Sequence, residues 1–141
     1  MVPPAPRTTA GTPAHTAPKP RRWQIWEIDL NPAKGPEQKG VRACLVISLD
    51  ALNQSNFGTV IVCPITTTHR ESFAWRPGLV PEDLTVVARD WEAKPNWVET
   101  DLIATIDVQL GVRRHLATLT DVAKRGAISD SLRMMLGLEG A

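Results

Sequence analysis

No part of this chain is apolar for long. The longest uninterrupted run, Ala43 to Ile47, has five residues, far short of the roughly 20 needed to span a bilayer. The N-terminal segment lacks the apolar core of a secretory signal, so a cytoplasmic location with no membrane partner is expected. Cysteine is scarce. Cys44 and Cys63 are the only two, and neither lies in a C-x-x-C pair. One cysteine with the nearest histidine, His69, does not make a zinc site. Two buried thiols in a reducing compartment are expected, with no metal and no cofactor. Net charge is low as well. Sixteen basic and 15 acidic residues leave +1, so bulk charge announces no nucleic-acid partner.

What charge there is lies unevenly. Residues 19 to 42 hold six basic and three acidic side chains, whereas residues 82 to 107 hold seven acidic and two basic ones. Phosphates, if they bind, are expected to follow the first segment and avoid the second. Residues 1–20 carry six of the 12 prolines and almost no large apolar side chain. Such a segment cannot bury enough surface to offset its ordering entropy, so it reads as a disordered tail. The remaining residues, 21–141, have the length of one domain with a core of its own.

Within that domain the periodicity is mostly that of strands. Trp23 to Leu30 alternates apolar and polar from Trp26 onward, the mark of a strand with one buried face, and Asn31-Pro32 ends it. A Gly, Pro and charge-rich loop runs to about Gly40. Arg42 to Ser48 and Thr59 to Thr66 have consecutive apolar centres, which predicts strands covered on both faces. Pro64 removes a ladder donor and places that point at an edge or a bulge. Trp97 to Thr100, Leu102 to Ile106 and Arg114 to Leu119 read as later strands, with a short β-like piece at Leu84 to Ala88. The period then changes. Thr120 can cap a helix with Asp121 in its first turn. Val122, Ala123, Ile128, Leu132, Met135 and Leu136 recur at helical spacing, and Gly137 is a plausible stop. The fold class is mainly β with a C-terminal helix, a small barrel-like sheet under one helical cover.

Chemistry is sought at the second and third strands. If they pair antiparallel with Ser48 against Val60, partner numbers sum to 108 and Arg42 falls opposite Thr66, on one face. A fixed cation then stands beside a hydroxyl, next to the loop of residues 31 to 40. RNA brings its own nucleophile, the 2′-OH. A guanidinium matches the geometry of the reacting phosphate and stays charged, so it can stabilise the phosphorane-like oxygens without a metal. The plainer alternatives are a surface salt bridge for Arg42 and an ordinary strand end for Thr66. His69, three residues past Thr66, is a further acid–base candidate by virtue of its pKa range. The five tryptophans could stack splayed bases, although Trp23 and Trp26 suit the core or a dimer seam.

From Arg22 to Leu138 the sequence resembles the MazF/PemK/Kid toxins. The resemblance is carried by I25-W26-E27-I28-D29-L30-N31-P32, by G35-P36-E37-Q38-K39-G40-V41-R42, by L45-V46-I47-S48 with Asn53, and by V60-I61-V62-C63-P64-I65-T66-T67. T105-I106-D107 and L136-G137-L138 add shorter matches. It implies a small SH3-like barrel of the CcdB/PemK type with a C-terminal helix. It also implies a homodimer and a sequence-specific, metal-independent endoribonuclease. Such an enzyme would cut single-stranded mRNA to 2′,3′-cyclic phosphate and 5′-hydroxyl ends, as the toxin of a pair with a cognate antitoxin. It places Arg42 and Thr66 at the two catalytic positions, and Lys34, Glu37, Gln38, Lys39, Thr67 and His69 on the substrate. The loop 31 to 40 becomes the element that covers RNA and that an antitoxin displaces. The sequence departs from the family pattern at Arg22-Trp23-Gln24, Pro36, Ala43 and D101-L102-I103-A104, where Leu102 and Ala104 replace polar groups that could bind RNA. Two other readings stay open: a CcdB-like poison of DNA gyrase, and a degenerate relative that binds RNA or antitoxin without cutting.

Overall fold

The structure, a computed structural model, describes residues 18–30 and 40–138. Eight strands are described: β1 (Gln24–Asp29), β2 (Val41–Val46), β3 (Thr59–Thr66), β4 (Gly78–Leu79), β5 (Leu84–Val86), β6 (Asn96–Val98), β7 (Ala104–Asp107) and β8 (Val112–Leu119). Three α-helices accompany them, α1 (Asp50–Asn53), α2 (Val108–Gly111) and the C-terminal α3 (Val122–Met135), with a 3-10 turn at Pro81–Asp83. The strands form one curled, antiparallel sheet in the order β4-β6-β3-β2-β1-β8-β5, with β7 also pairing β3.

The β2–β3 ladder has the register expected from sequence. Cys44 lies opposite Pro64, Leu45 opposite Cys63 and Val46 opposite Val62. Both faces of these strands are covered. Leu45, Cys63 and Ile65 join one apolar cluster with Ile25, Leu116 and Ile128 of α3. Cys44, Val46, Val60 and Val62 join a second with Ile28 and Ile106. This explains why consecutive positions are apolar. Both cysteines are free and buried. Burial pushes each thiol up to about 12, so neither supplies a thiolate at neutral pH.

Pro64 marks a change of partner. On the side of β3 away from β2, Thr59 to Val62 pair with β7, while Ile65 and Thr66 pair with β6. A residue without an N–H sits where one ladder stops and the next begins. That switch brings β6 against the end of β3 and thereby shapes the candidate site.

Trp23 has a φ of 75°, a region that costs a bulky residue roughly 1–2 kcal/mol. Its backbone is held on both sides: its N–H donates to the Val46 carbonyl at 2.9 Å and its carbonyl accepts from Leu119 at 2.8 Å. Its indole adds to the α3-side core, under the Arg22 guanidinium at 4.6 Å. The structure therefore accommodates an indole at a backbone position that glycine would fill without strain.

The tail also meets the domain. Pro20 is buried, its carbonyl accepts from Gln54 Nε2 at 2.9 Å, and Lys19 Nζ reaches the Gln54 and Ser55 carbonyls at 3.3 Å.

α3 differs from expectation at its start. Its N-cap is Asp121, not Thr120. The Asp121 carboxylate accepts from the Lys124 N–H at 2.9 Å, a stronger acceptor than a hydroxyl for an orphan donor. Thr120 instead donates its hydroxyl to the Asp83 carbonyl. The helix stops at Gly137 (φ +69°), where the Leu138 N–H reaches back to the Arg133 carbonyl at 2.8 Å, a left-handed cap of the usual kind. Asp121→Ala is expected to lower stability by about 1 kcal/mol, read as an earlier urea midpoint with an unchanged slope. Among the described residues no helix is long and apolar enough to cross a membrane.

Candidate active site

A cleft of about 580 Å³ opens at the end of β3. It is lined by Arg42, Thr66, Thr68 and Glu99 among others, with Arg70, Phe73 and Arg76 from the loop joining β3 to β4. The two residues singled out as a catalytic pair therefore share one cavity. The formal ladder ends at Cys44 and Pro64, so Arg42 closes the distance with its side chain. Its Nη2 donates to the Ile65 carbonyl at 2.5 Å, one residue before Thr66. Thr66 Oγ1 accepts the Thr68 N–H at 3.1 Å. That bond turns the tip of the loop over Thr66 and leaves the hydroxyl proton to point elsewhere.

The cleft is lined by a carboxylate that sequence reasoning did not place there, Glu99. Glu99 is only 2% exposed. Its carboxylate lies 3.7 Å from Arg42 Nη2 and 3.2 Å from Arg76 Nη1. Asp101 takes Arg76 in a two-point grip, from Nε at 2.7 Å and from Nη2 at 2.8 Å, and accepts the Trp75 indole N–H at 3.0 Å. Part of the acidic segment, residues 82 to 107, reaches this cleft. β6 follows the end of β3, and the Glu99 N–H donates to the Pro64 carbonyl at 2.9 Å. The acidic segment thus forms a wall of the cleft. Asp83 and Asp90 of the same segment are paired with cations elsewhere, with Lys124 and Arg114.

Asp101 is held below the ordinary carboxylate value of 3.8, first by the hydrogen bonds from Arg76, against its burial, with help from Trp75. Asp83 is also held down: burial raises it, but the Val80 N–H and Lys124 outweigh that. Groups with depressed native values stabilise the fold above the unfolded value and lose that contribution as pH falls through the native one. Stability is therefore expected to be flat from neutral pH to about pH 5 and to fall below about pH 4. Asp101→Asn should flatten the acid limb in urea titrations taken at successive pH values.

The other expected contacts are distributed as follows. Thr67 is exposed beside the cleft. The His69 ring turns away to stack on Trp97 at 4.6 Å between centroids, and Trp97 is the β6 partner of Thr66. Lys34, Glu37, Gln38 and Lys39 lie outside the described residues. The ends of their loop are closed by the Leu30 N–H and Gly40 carbonyl at 2.9 Å. Arg70, Phe73, Arg76 and Glu99 were not anticipated. Among the described residues, no group of three or more His, Cys, Asp or Glu side chains gathers as a metal site.

Residues 21–134 match the model of the PemK-like, MazF-like toxins of type II toxin-antitoxin systems. A curated relative, the endoribonuclease MazF9 of Mycobacterium tuberculosis, is 37% identical over 51 residues, 33% of this chain and 43% of that protein. The match thus spans less than half of the relative. A crystal structure of MazF from Deinococcus radiodurans superposes with a TM-score of 0.62 at 22% identity, covering 84% of this chain and 96% of that one. A mycobacterial endoribonuclease in complex with its cognate antitoxin superposes with a TM-score of 0.58 at 23% identity, covering 86% and 99%. At such identities the superpositions speak for the fold.

Proposed function

The chain belongs to the PemK-like, MazF-like toxin family, and from that membership and its cleft we propose that it is a sequence-specific endoribonuclease acting on single-stranded mRNA. One observation carries the reading: Arg42 and Thr66 line a single cleft, with the Arg42 head anchored on the Ile65 carbonyl beside Thr66. The 2′-OH of the substrate attacks the adjacent phosphorus. The P–O5′ bond breaks, and the products carry a 2′,3′-cyclic phosphate and a 5′-hydroxyl. The Arg42 guanidinium takes the charge that builds on the equatorial oxygens. The Thr66 hydroxyl donates to a phosphate oxygen or orients the attacking group. Neither role needs a metal, and cleavage should persist in EDTA.

The domain proper is residues 21–141, acting as a homodimer with Lys34, Glu37, Gln38, Lys39 and Thr67 at the RNA. His69 supports the site by its stack on Trp97. A disordered antitoxin segment would neutralise the protein by folding into the same cleft and displacing the loop 31 to 40. The proline-rich segment before Lys19 should be dispensable, and the reading places the protein in the cytoplasm.

The test is incubation with a long unstructured RNA in EDTA, beside a gyrase supercoiling assay. RNA cleavage with gyrase unaffected is the expected result. Inhibited gyrase with intact RNA would replace this reading with that of a gyrase poison.

A further inference from the structure

A pair of buried hydroxyls stands behind the cleft without lining it. Ser131 of α3 and Thr100, in the turn after β6, are both buried, and their oxygens lie 2.8 Å apart. Ser131 Oγ also lies 2.6 Å from the Trp75 carbonyl. A carbonyl only accepts and each hydroxyl has one proton, so Ser131 donates to Trp75 and Thr100 donates to Ser131. A serine inside a helix ordinarily turns to its own helix or to water. This one reaches two segments, 56 and 31 residues away in sequence. We propose that Ser131 and Thr100 are positioning residues for RNA cleavage, which fasten two walls of the cleft to each other and to α3. The proposal rests on the reading of the cleft as an RNA-cutting site and adds what holds that site in shape.

Each end of this relay is next in sequence to charged groups of the cleft. Trp75 precedes Arg76, and Thr100 lies between Glu99 and Asp101. Arg76 meets Glu99 at 3.2 Å and Asp101 at 2.7 Å, and Glu99 faces Arg42 at 3.7 Å. The turn is anchored on β3, through the Glu99 N–H and the Pro64 carbonyl. The loop from β3 to β4 has no such ladder. Its backbone bonds are local, from Phe73 N–H to the Arg70 carbonyl and from Arg76 N–H to the Phe73 carbonyl. Among the described residues, the backbone of 70–76 meets the rest of the domain at the Trp75 carbonyl. The support there is firm, because Ile128 and Leu132 hold α3 against the core on either side of Ser131. Without the serine hydroxyl, the Thr100 hydroxyl and the Trp75 carbonyl lose their partner and regain one only by moving. That motion carries Arg76, then Glu99, which Arg76 pairs, then Arg42, which Glu99 faces. A shift of about 1 Å in groups that orient a reacting phosphate can cost up to about 10²-fold in rate. Binding is less sensitive, because the attraction of the same guanidiniums for phosphate falls off slowly with distance.

The test reads cleavage and local opening separately. Ser131→Ala suits a helix and removes the hydroxyl, and Thr100→Val keeps the shape at the other end of the relay. In steady-state cleavage of a single-stranded RNA, Ser131→Ala is expected to lower kcat about tenfold and to leave KM within about twofold. Amide hydrogen exchange at Arg76 should speed up about tenfold. The Ile47 and Leu119 amides, bonded across the sheet at 2.9 and 2.8 Å, should exchange as in the unaltered chain. Thr100→Val should show the same pattern more weakly, because the bond from Ser131 to Trp75 survives. The double variant should be no slower than Ser131→Ala, since the two hydroxyls form one relay. An unchanged kcat for Ser131→Ala would overturn the proposal. So would faster exchange at Ile47 and Leu119 as well, the mark of a fold loosened throughout, or losses that multiply in the double variant. A chain whose Arg76 amide responds but which leaves RNA whole retains the tether and loses the nuclease reading. One that cuts RNA equally well with and without the Ser131 hydroxyl does the reverse.

Discussion

Arg42→Ala is expected to slow RNA cleavage by about 10²–10³-fold, the usual loss when one preorganised donor to a developing oxyanion is removed. The side chain is suited to that role because it is already aimed. Its head is fixed by the Ile65 carbonyl and faces Glu99, so little reorganisation is needed when charge builds on the phosphate. Its side chain keeps 21% of its surface exposed, enough to reach solvent and substrate. Removing it should leave the fold intact, since Glu99 retains Arg76 as a partner. Arg42→Lys should recover only part of the rate, because an ammonium keeps the charge and loses the planar fork. Single-turnover cleavage with a thermal melt of each variant checks this. A folded Arg42→Ala variant with near-normal cleavage would refute the assignment.

Glu99 should show the largest effect on stability. Its carboxylate lies between two guanidiniums, and both it and the Arg76 side chain, 9% exposed, are shut away from water. Removing the Glu99 carboxylate takes the nearest carboxylate from Arg76 Nη1, although Asp101 still holds Nε and Nη2, at a cost of about 1–3 kcal/mol. Glu99→Ala is therefore expected to unfold in markedly less urea. Glu99→Gln, which keeps the shape and an acceptor oxygen, should be milder in stability and more telling in function. It removes one negative charge from the cleft, so RNA should bind more tightly at low salt. The Arg42 head, no longer faced by an anion, should turn over substrate more slowly. KM and kcat would then fall together, a split that general loosening of the fold would not produce. An unchanged urea midpoint for Glu99→Ala, or weaker RNA binding by Glu99→Gln, would contradict the electrostatic account.

The parts legible in the sequence are those where one strand dictates its own environment. Consecutive apolar residues in β2 and β3 forced both strands inside, and the single register that keeps them aligned put Arg42 and Thr66 at one end. Pro64 in sequence reads as an edge or a bulge, whereas β3 is an inner strand paired on both sides and Pro64 sits where its partner changes from β7 to β6. Only the pairing of Trp97 with Thr66 reveals that Glu99, two residues further along and on the same side of an extended chain, faces the cleft. In sequence it is one more acid in an acidic stretch. Had Trp97 to Thr100 been set against the end of the third strand, the two-residue period would have found it. Arg76 and Phe73 were hidden for a different reason: a loop with Pro77 at its end has no period to read, and its shape comes from Asp101 and Ser131, 25 or more residues away. α1 and α2, four residues each, are too short for a helical repeat to register. At α3 the neighbouring Thr120 and Asp121 both suit a cap, and the Asp83 carbonyl decides between them by claiming the threonine.

The central claim is that this cleft cuts RNA by means of the substrate's own 2′-OH and the Arg42 guanidinium. The most direct measurement is the chemistry of the cut ends, on a long single-stranded RNA incubated with the intact chain in EDTA. The claim requires 2′,3′-cyclic phosphate on one fragment and 5′-hydroxyl on the other, at the same positions in every transcript, and cleavage about 10²–10³-fold slower with Arg42→Ala. Fragments bearing 5′-phosphate, or cleavage that appears only when a divalent ion is restored, would contradict it.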